Sequence, residues 1–286
     1  MCLPYLTTEA LENFIKHSLA EDIGPGDYSS LASIDALSVR TAQLICKSAG
    51  VVAGVELAVK IFASYDESLR VDTLMKDGDL YKGGGIVLKV TGPARSILSC
   101  ERLVLNCVQR MSGIATHTHT LTQMVKHTSV KLLDTRKTTP GFRLCEKWAV
   151  AIGGGQNHRY GLYDMIMLKD NHIDYCGGVV KAVTKTQKFL AENHLSLEIV
   201  VEVRNETELR ELLTCSGIRR VLLDNMKPDQ LIECVRIVNR AFETEASGGI
   251  NQDNLVAYAE TGVDYISMGS LIYGAGVLDF SLKAVA

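Results

Sequence analysis

The sequence predicts an α/β protein in which an N-terminal α+β sandwich domain precedes an α/β barrel of about six to seven strands. Three observations support this fold class. Short apolar runs of strand length recur between residues 130 and 269 and mostly alternate with helical patterns, which is typical of a parallel sheet. Short β-rich segments separated by glycine turns fill residues 40–91. Polar side chains follow the apolar runs, at the strand ends that converge on the mouth of a barrel.

The N-terminal domain begins with a helix predicted over residues 7–20, which opens on Thr7 as a cap and ends at the turn sequence EDIGPGD. A second, amphipathic helix is predicted near residues 55–65. The β-rich segments predict strands over residues 41–47, 51–56, 69–76 and 85–92.

A long helical pattern starts at Ser96, and the pair Ser112-Gly113 predicts an interruption in it. We therefore expect the first domain to cover residues 1–112, with 275–286 as a candidate completing segment, and the barrel to cover 113–274. The predicted barrel strands are residues 130–134, 165–169, 197–203, 219–224, 242–247 and 263–269, and helices are predicted over 144–152, 181–193, 206–214 and 228–242. A doubly wound open sheet is the alternative, and the polar strand ends favour the barrel.

The composition favours a soluble globular protein. The chain has 286 residues, of which 47% are hydrophobic, so it can bury a substantial core. No apolar run is long enough for a membrane helix and no signal peptide pattern opens the chain, so we expect a cytoplasmic protein that does not bind membranes. The cysteines form no CxxC pair, which favours reduced thiols that pack in the core; they are at positions 2, 46, 100, 107, 145, 176, 215 and 234.

Charge is distributed unevenly along the chain. Residues 102–169 contain ten Lys or Arg and three acids, a net charge of +7, although the whole chain carries −3. This segment could be a solvated basic face, a nucleic-acid surface or an inward-facing pocket for a small polyanion. The nucleic-acid interpretation is disfavoured because the segment has few aromatic residues for base stacking and the protein as a whole is acidic.

Candidate anion-binding residues follow the predicted strands. Arg136 and Lys137 come just after residues 130–134 in the sequence DTRKTTPGFR, and such neighbouring cations are often merely solvated. A functional role is favoured here because His158, Arg159 and Lys169 are expected at the same barrel mouth. Arginine offers a planar fork for a carboxylate or phosphate, and lysine offers a mobile point charge.

Two kinds of glycine-rich loop have different predicted roles. The sequence GGGQNHR, residues 153–159, lacks GxGxxG spacing and follows a helix, so it does not fit a nucleotide-binding loop. The sequence SGG, residues 247–249, follows a strand and precedes a helix predicted to start near Asn251, whose N-terminus could bind phosphate. The pair Gly269-Ser270 at the next strand end could supply the other half of this phosphate site.

Two carboxylates, Glu202 and Asp224, end neighbouring strands in this otherwise cationic mouth. They could simply neutralise lysine and arginine. The more specific hypothesis is that they bind ribose hydroxyls or the hydration shell of Mg²⁺, which favours one or two carboxylates together with substrate phosphates. Because the sequence shows no Ser-His-Asp, Cys-His or zinc-ligand pattern, we expect chemistry that depends on electrostatics.

In order and spacing, the motifs of this chain resemble those of the quinolinate phosphoribosyltransferase family. The resemblance covers nearly the whole chain, and no single motif is specific without the others. The motifs are EDIGPGDYSS, DGD at 77–79, ERLVLNCVQRMSGIAT, LLDTRKTTPGFR, EKWAVAIGGGQNHRYGLYDMIMLKDNH, VEVRN, LLDNM, EASGGIN and GVDYISMGS.

The resemblance implies a type II phosphoribosyltransferase that works as a homodimer, with the N-terminal region of one subunit covering the barrel mouth of the other. The implied reaction joins quinolinate to phosphoribosyl pyrophosphate, with Mg²⁺, and gives nicotinate mononucleotide, pyrophosphate and CO₂ in NAD biosynthesis. In this chain, Arg102 would reach the site of the partner subunit.

The resemblance also assigns roles to the site residues. The implied catalytic residues are Lys137, Lys169, Glu202 and Asp224, with Glu202 and Asp224 at the ribose and Mg²⁺ end. The quinolinate-binding residues would be Arg102, Thr135, Arg136, Lys137, His158, Arg159 and Lys169. The 5′-phosphate would lie on Ser247, Gly248, Gly249, Met268, Gly269 and Ser270.

The sequence differs from the family pattern at one place, and two alternative functions stand beside this hypothesis. Ile272-Tyr273 stand where the family pattern has Thr-His, so a polar contact near the phosphate loop is lost or replaced by the tyrosine hydroxyl. A phosphoribosyltransferase of the same fold acting on a mono-acid such as nicotinate is the nearest rival, and the surplus of cations favours a dianion. A non-catalytic anion-binding protein is the rival from another class.

Overall fold

The structure is a computed structural model that describes residues 3–285. The chain forms two compact units. One contains the residues up to 119, residues 138–154 and the segment from 271 onward; the other contains residues 120–137 and 155–270. The chain positions thus alternate between the units, and the predicted division at 112–113 stays a prediction.

The first unit is built on a four-stranded antiparallel sheet with the order β12-β1-β5-β3, and β2 pairs with β4. These strands cover Val39–Cys46 (β1), Gly50–Val51 (β2), Arg70–Thr73 (β3), Leu80–Tyr81 (β4), Gly85–Pro93 (β5) and Phe280–Ala284 (β12). The predicted strand over residues 51–56 is wrong beyond Val51, because Gly54 adopts a left-handed φ of +93° and a helix begins at Val55.

The helices of this unit are α1 (Thr8–Ile23), α2 (Tyr28–Ser33), α3 (Val55–Tyr65), α4 (Ala94–Met124) and α5 (Arg143–Ile152). Thr7 caps α1 as predicted, through its side-chain bond from Ala10 N–H. Helix α2 was not predicted, because the turn sequence before it hid the cap that Asp27 provides. Helix α4 continues from the first unit into the second.

The predicted interruption at Ser112-Gly113 is wrong, since α4 is continuous there. The buried Ser112 hydroxyl donates to the carbonyl of Ala53 and accepts from its N–H. A Cβ at residue 113 would overlap the carbonyl oxygen of Gly276. The two small residues therefore allow close packing of neighbouring backbone and do not break the helix.

The second unit contains six parallel strands with the order β6-β11-β10-β9-β8-β7. They cover Lys131–Leu133 (β6), Ile166–Leu168 (β7), Ile199–Val203 (β8), Arg220–Asp224 (β9), Glu243–Ser247 (β10) and Tyr265–Ser267 (β11). All six predicted strands are confirmed. The strands β7 to β11 neighbour one another in chain order and β6 lies beside β11, which is the cyclic order of a barrel and not the reversing order of a doubly wound sheet.

The helices after these strands are α6 (Asp170–Cys176), α7 (Val179–Glu192), α8 (Glu206–Leu212), α9 (Pro228–Val238), α10 (Leu255–Ala259) and α11 (Ser270–Tyr273). The helix predicted to start near Asn251 is wrong in its start. Asn251 Oδ1 accepts from the N–H groups of Asp253 and Asn254, and this turn delays the helix until Leu255.

Most of the described cysteines are buried. All seven are free, and Cys2 lies outside the described residues. Burial raises the pKa of Cys107 to about 12, so its thiol stays protonated near neutral pH. No helix within residues 3–285 combines the length and the apolar character needed to cross a membrane.

Candidate active site

A cavity of about 310 Å³ lies at the carboxyl ends of the parallel strands. Residues after β6 and after β7 line it together, although these strands are the two ends of the hydrogen-bonded order, so the sheet must curl. Its walls are formed by Thr135, Arg136, Lys137, His158, Arg159, Met167, Lys169, Leu222, Glu245, Ser247 and Ser267.

The segment that follows the three glycines returns to the edge of β6. Gln156 forms a parallel bridge with Leu133, and its N–H donates to the carbonyl of Leu132. The fully buried Asp134 then accepts from the Asn157 amide at 2.7 Å and from the His158 N–H at 2.8 Å. These bonds fix the loop that carries His158 beside the loop after β6.

Two arginines, Arg136 and Arg159, line this cavity together. Burial and the nearby charge of Arg136 lower the pKa of Arg159 from its ordinary value. Within residues 3–285, neither Arg136 nor the neighbouring Lys137 forms an ion pair. Asp164 opposes this effect, but the pKa of Arg159 stays lowered, so neighbouring like charges in the cavity favour the binding of an anion with two negative groups.

His158 is 7% exposed, and each of its two ring nitrogens contacts a protein group. The backbone N–H of Arg159 donates to Nδ1 at 2.7 Å, so the proton of the neutral ring lies on Nε2. Nε2 lies 3.3 Å from the Glu245 carboxylate. The imidazole is therefore part of the wall, with both nitrogens directed at protein groups.

Glu245 lies fully buried at the base of the cavity. Its carboxylate is 2.9 Å from Arg220 Nη1, and the Arg220 guanidinium stacks on the Tyr265 ring at 3.8 Å. Burial raises the pKa of Glu245, but the contacts with His158, Arg220 and Ser267 outweigh this effect and leave the pKa below its ordinary value. A charged cluster thus lies inside the barrel, below the cavity.

The Glu245 pair gives a testable dependence of stability on pH. Because its pKa is lowered in the fold, the ionised carboxylate stabilises the native state above the pKa of the unfolded chain, and this contribution is lost as pH falls through the native value. We expect Glu245→Gln to lower the free energy of unfolding by about 2 kcal/mol at neutral pH and by less in acid. Urea titrations across pH measure this difference.

A matched control is Glu260→Gln, because Glu260 also pairs with a histidine, His127, but 59% of its side chain is exposed. This control should change the free energy of unfolding by less than about 0.5 kcal/mol. An effect of Glu245→Gln that stays constant from neutral to acid pH would contradict the role of the charge.

Lys169, the residue after β7, contacts Glu202 in β8. Lys169 Nζ lies 3.2 Å from the carboxylate of Glu202, which is 6% exposed. The register pairs Glu202 with Leu222 of β9, a cavity residue, so Glu202 faces the barrel interior. Lysine and glutamate thus form a partly buried pair at the rim.

Asp224 ends β9 in register with Ser247, which lines the cavity. Burial and the nearby Glu202 raise the pKa of Asp224, and Lys169 opposes this effect. Two carboxylates that repel each other next to an anion site are suited to hydroxyl groups or a hydrated cation.

The loop after β10 has the shape of an open turn. Gly248 and Gly249 adopt φ values of +97° and +64°, and a Cβ at Gly249 would meet no atom within 4 Å. In the neighbouring loop, the buried Ser270 hydroxyl has no hydrogen-bond partner among residues 3–285, whereas the Met268 N–H donates to Leu133 O. Ser270 and the open turn at Gly248 and Gly249 are thus the candidate anion-binding groups at this edge.

The structure brings seven of the predicted site residues to the cavity, namely Thr135, Arg136, Lys137, His158, Arg159, Lys169 and Ser247. Six more lie at the adjacent strand ends without lining it, namely Glu202, Asp224, Gly248, Gly249, Gly269 and Ser270. Met268 is 2% exposed and packs in the core. Arg102 lies exposed on α4 in the first unit. At the two positions where the family pattern has Thr-His, Ile272 is 1% exposed and Tyr273 is 64% exposed.

Sequence reasoning missed four cavity residues, Met167, Leu222, Glu245 and Ser267. All four lie within strands, where the apolar pattern suggested a plain core. The alternation of Glu243, Glu245 and Ser247 was the available signal, because residues two apart share one face of a strand.

Known proteins resemble this chain over nearly its whole length. The family models for the quinolinate phosphoribosyl transferase C-terminal and N-terminal domains match residues 114–283 and 27–112. A curated relative, decarboxylating quinolinate phosphoribosyltransferase 1 of Nicotiana glauca, is 42% identical over 295 residues, which cover 98% of this chain and 84% of the relative.

Two bacterial proteins are similarly close. The probable carboxylating nicotinate-nucleotide pyrophosphorylase of Bacillus subtilis is 41% identical over 95% of this chain and 92% of its own. The crystal structure of NadC from Streptococcus pyogenes matches with a TM-score of 0.91 and 36% identity over 98% of this chain and 99% of that chain. The chain therefore belongs to the quinolinate phosphoribosyltransferase family.

Proposed function

We propose that this protein transfers the phosphoribosyl group of phosphoribosyl pyrophosphate to quinolinate with loss of CO₂, which gives nicotinate mononucleotide and pyrophosphate for NAD biosynthesis. The observation that carries the proposal is the cationic cavity lined by Arg136 and Arg159, whose charges repel each other. Quinolinate, with two neighbouring carboxylates, supplies the missing charge.

We assign the cavity to quinolinate. Arg136 and Arg159 bind its two carboxylates, and Lys169 lines the same cavity. We assign Lys137 to the pyrophosphate side of this region, and Thr135 shapes the loop by accepting the Lys137 N–H at 3.0 Å. His158 supports the Arg159 backbone and contributes the flat face of its ring.

The phosphoribosyl half occupies the neighbouring strand ends. Glu202 and Asp224 accept hydrogen bonds from ribose hydroxyls, and the 5′-phosphate lies on the loops 247–249 and 269–270. The free hydroxyl of Ser270 and the open side of Gly249 support this assignment. Met268 contributes packing, since its N–H already has a backbone partner.

The carboxylates also fit Mg²⁺. A divalent ion favours one or two carboxylates with substrate phosphates. Burial and the nearby Glu202 raise the pKa of Asp224, which supports placing positive charge there. Glu202 and Asp224 would hold this ion through its water ligands. When bound, it would neutralise charge on the pyrophosphate.

The reaction requires positioning and fixed charge. The pyridine nitrogen forms a bond to the anomeric carbon as the bond from that carbon to the pyrophosphate oxygen breaks. The carboxylates at the ribose stabilise the positive charge on the sugar, and Lys137 stabilises the leaving group. The resulting pyridinium accepts the electron pair at C2 when CO₂ departs, and C2 then takes up a proton. Orientation supplies much of the rate enhancement.

We further propose a homodimer in which Arg102 completes the site of the partner subunit, and a cytoplasmic location. The exposed position of Arg102 on α4 supports the first proposal, because the side chain is accessible to another subunit. Cell fractionation tests the location.

The activity test compares quinolinate with nicotinate, each supplied with phosphoribosyl pyrophosphate and Mg²⁺. We expect quinolinate to be consumed with equimolar release of CO₂ and formation of nicotinate mononucleotide. Turnover of nicotinate but not quinolinate would identify the mono-acid enzyme instead. Binding without any turnover would identify a non-catalytic anion-binding protein.

A further inference from the structure

Asn225 follows β9 directly after Asp224 and has a left-handed backbone with φ of +55°. Few residues other than glycine adopt this conformation, and asparagine tolerates it best. The turn directs the Asn225 amide back between the ends of β9 and β10. Asn225 thus lies next to both elements that we propose to bind the phosphoribosyl group, although it does not line the cavity.

On one side, the Asn225 amide contacts the carboxylate at the end of β9. Its Nδ2 donates to Asp224 Oδ2 at 2.5 Å. The backbone N–H of Asn225 donates to the carbonyl of Ser247 at 2.8 Å. One residue thus fixes the carboxylate and also extends the ladder to the end of β10.

On the other side, the same amide lies against the glycine loop. A Cβ at Gly248 would overlap Asn225 Oδ1 and would lie 2.6 Å from its Cγ and 2.9 Å from its backbone nitrogen. The loop therefore packs directly on the Asn225 side chain. The Asn225 amide therefore contacts both the carboxylate and the loop.

We propose that Asn225 is a positioning residue that sets the spacing between the Asp224 carboxylate and the loop 247–249. The inference rests on the proposed function, in which these elements hold the ribose and the 5′-phosphate of one substrate molecule. The covalent frame of the sugar fixes the distance between those groups, so binding requires the two protein elements to keep a matching separation. Displacements of about 1 Å in such sites cost up to about 100-fold in rate.

The main test is Asn225→Gly, which keeps the left-handed backbone and removes the amide. We expect KM for phosphoribosyl pyrophosphate to rise about tenfold, in line with one lost hydrogen bond, while KM for quinolinate changes less than about twofold. Equal changes in both KM values, or no change, would overturn the proposal. Asn239→Gly is the matched control, since Asn239 is exposed and left-handed at the end of α9 with φ of +44°.

Two further variants separate positioning from folding. Asn225→Asp keeps the shape but turns the donor toward Asp224 into a repelling oxygen, so it should raise KM for phosphoribosyl pyrophosphate further than the glycine variant does. In an Asp224→Asn background, Asn225→Gly should cost less than it does in the wild type, because the shared contact is already altered. Additive effects would count against the proposed coupling.

Calorimetry can measure the binding of phosphoribosyl pyrophosphate in the absence of quinolinate. This measurement tests the role of Asn225 independently of the proposed reaction. A wild type that fails to turn over quinolinate would refute that function. The inference would be refuted by equal affinity of the wild type and Asn225→Gly for phosphoribosyl pyrophosphate, or by a wild type that does not bind it.

Discussion

Replacing Lys169 with alanine is expected to lower kcat/KM for quinolinate about a thousand-fold, which is the upper range for losing one fixed charge at a reacting centre. The substitution removes a cation from the cavity. It also leaves Glu202, which is 6% exposed, without the partner that now lies at 3.2 Å. An unpaired carboxylate at the rim would repel a dianionic substrate, so both effects act in the same direction.

Steady-state kinetics with quinolinate and phosphoribosyl pyrophosphate measure this loss. Lys188→Ala is the control, because 74% of the Lys188 side chain is exposed on α7, and its kcat/KM should stay within about twofold. Adding Glu202→Gln to Lys169→Ala separates the two effects, since it removes the repelling charge and should restore KM for quinolinate in part. A loss below about fivefold for Lys169→Ala would contradict its place at the reacting centre.

The same variant tests the proposed sharing of sites between subunits. Each of Lys169→Ala and Arg102→Ala should be nearly inactive alone. In mixed dimers, one of the two sites would combine an intact Arg102 with an intact Lys169, so activity should return to about a quarter of the wild-type value at random exchange. No recovery, despite measured exchange of subunits, would rule out the shared site.

Replacing Arg110 with leucine is expected to lower the free energy of unfolding by about 3 to 5 kcal/mol, the usual cost of breaking a buried ion pair from one side. Arg110 Nη2 lies 3.1 Å from the carboxylate of Glu146, which is fully buried. The same guanidinium donates to the carbonyls of Ile272 and Ala275. The substitution leaves a buried charge and two carbonyls without this donor.

Urea unfolding followed by tryptophan fluorescence measures the effect, because the single tryptophan, Trp148, lies buried on α5 near Glu146. Arg236→Leu is the control; its pair with Glu233 is exposed, and the free energy of unfolding should change by less than about 0.5 kcal/mol. The double variant Arg110→Leu/Glu146→Leu should recover part of the loss, since no charge is left buried. A loss under about 1 kcal/mol for Arg110→Leu would contradict the argument.

Much of the architecture could be predicted from the sequence, because strands buried on both faces leave continuous apolar runs. Five of the six barrel strands have this pattern, β10 being the polar exception, and the cations of the site could be recognised from the charge surplus of residues 102–169. The interruption at Gly113 could not be judged correctly, because only the fold shows that Gly276 approaches it.

The contacts inside the barrel also could not be predicted from the sequence. Glu245 pairs with Arg220 and His158, which are 25 and 87 positions away in the chain. No local pattern relates residues at such distances, and a strand pattern alone does not show which polar residues have partners. The contacts of Asn225 were missed for the same reason, since its packing on Gly248 joins the ends of two strands.

The repulsion between Arg136 and Arg159 has a consequence for product release. On the proposed assignment, quinolinate brings two negative carboxylates to these arginines. The reaction removes one of them as CO₂ and places a positive charge on the ring, so the product ring carries no net charge where the substrate ring carried two. The two arginines then have less negative charge to offset their repulsion. Decarboxylation thus weakens the hold on the ring it has changed, and the chemical step itself favours departure of the mononucleotide.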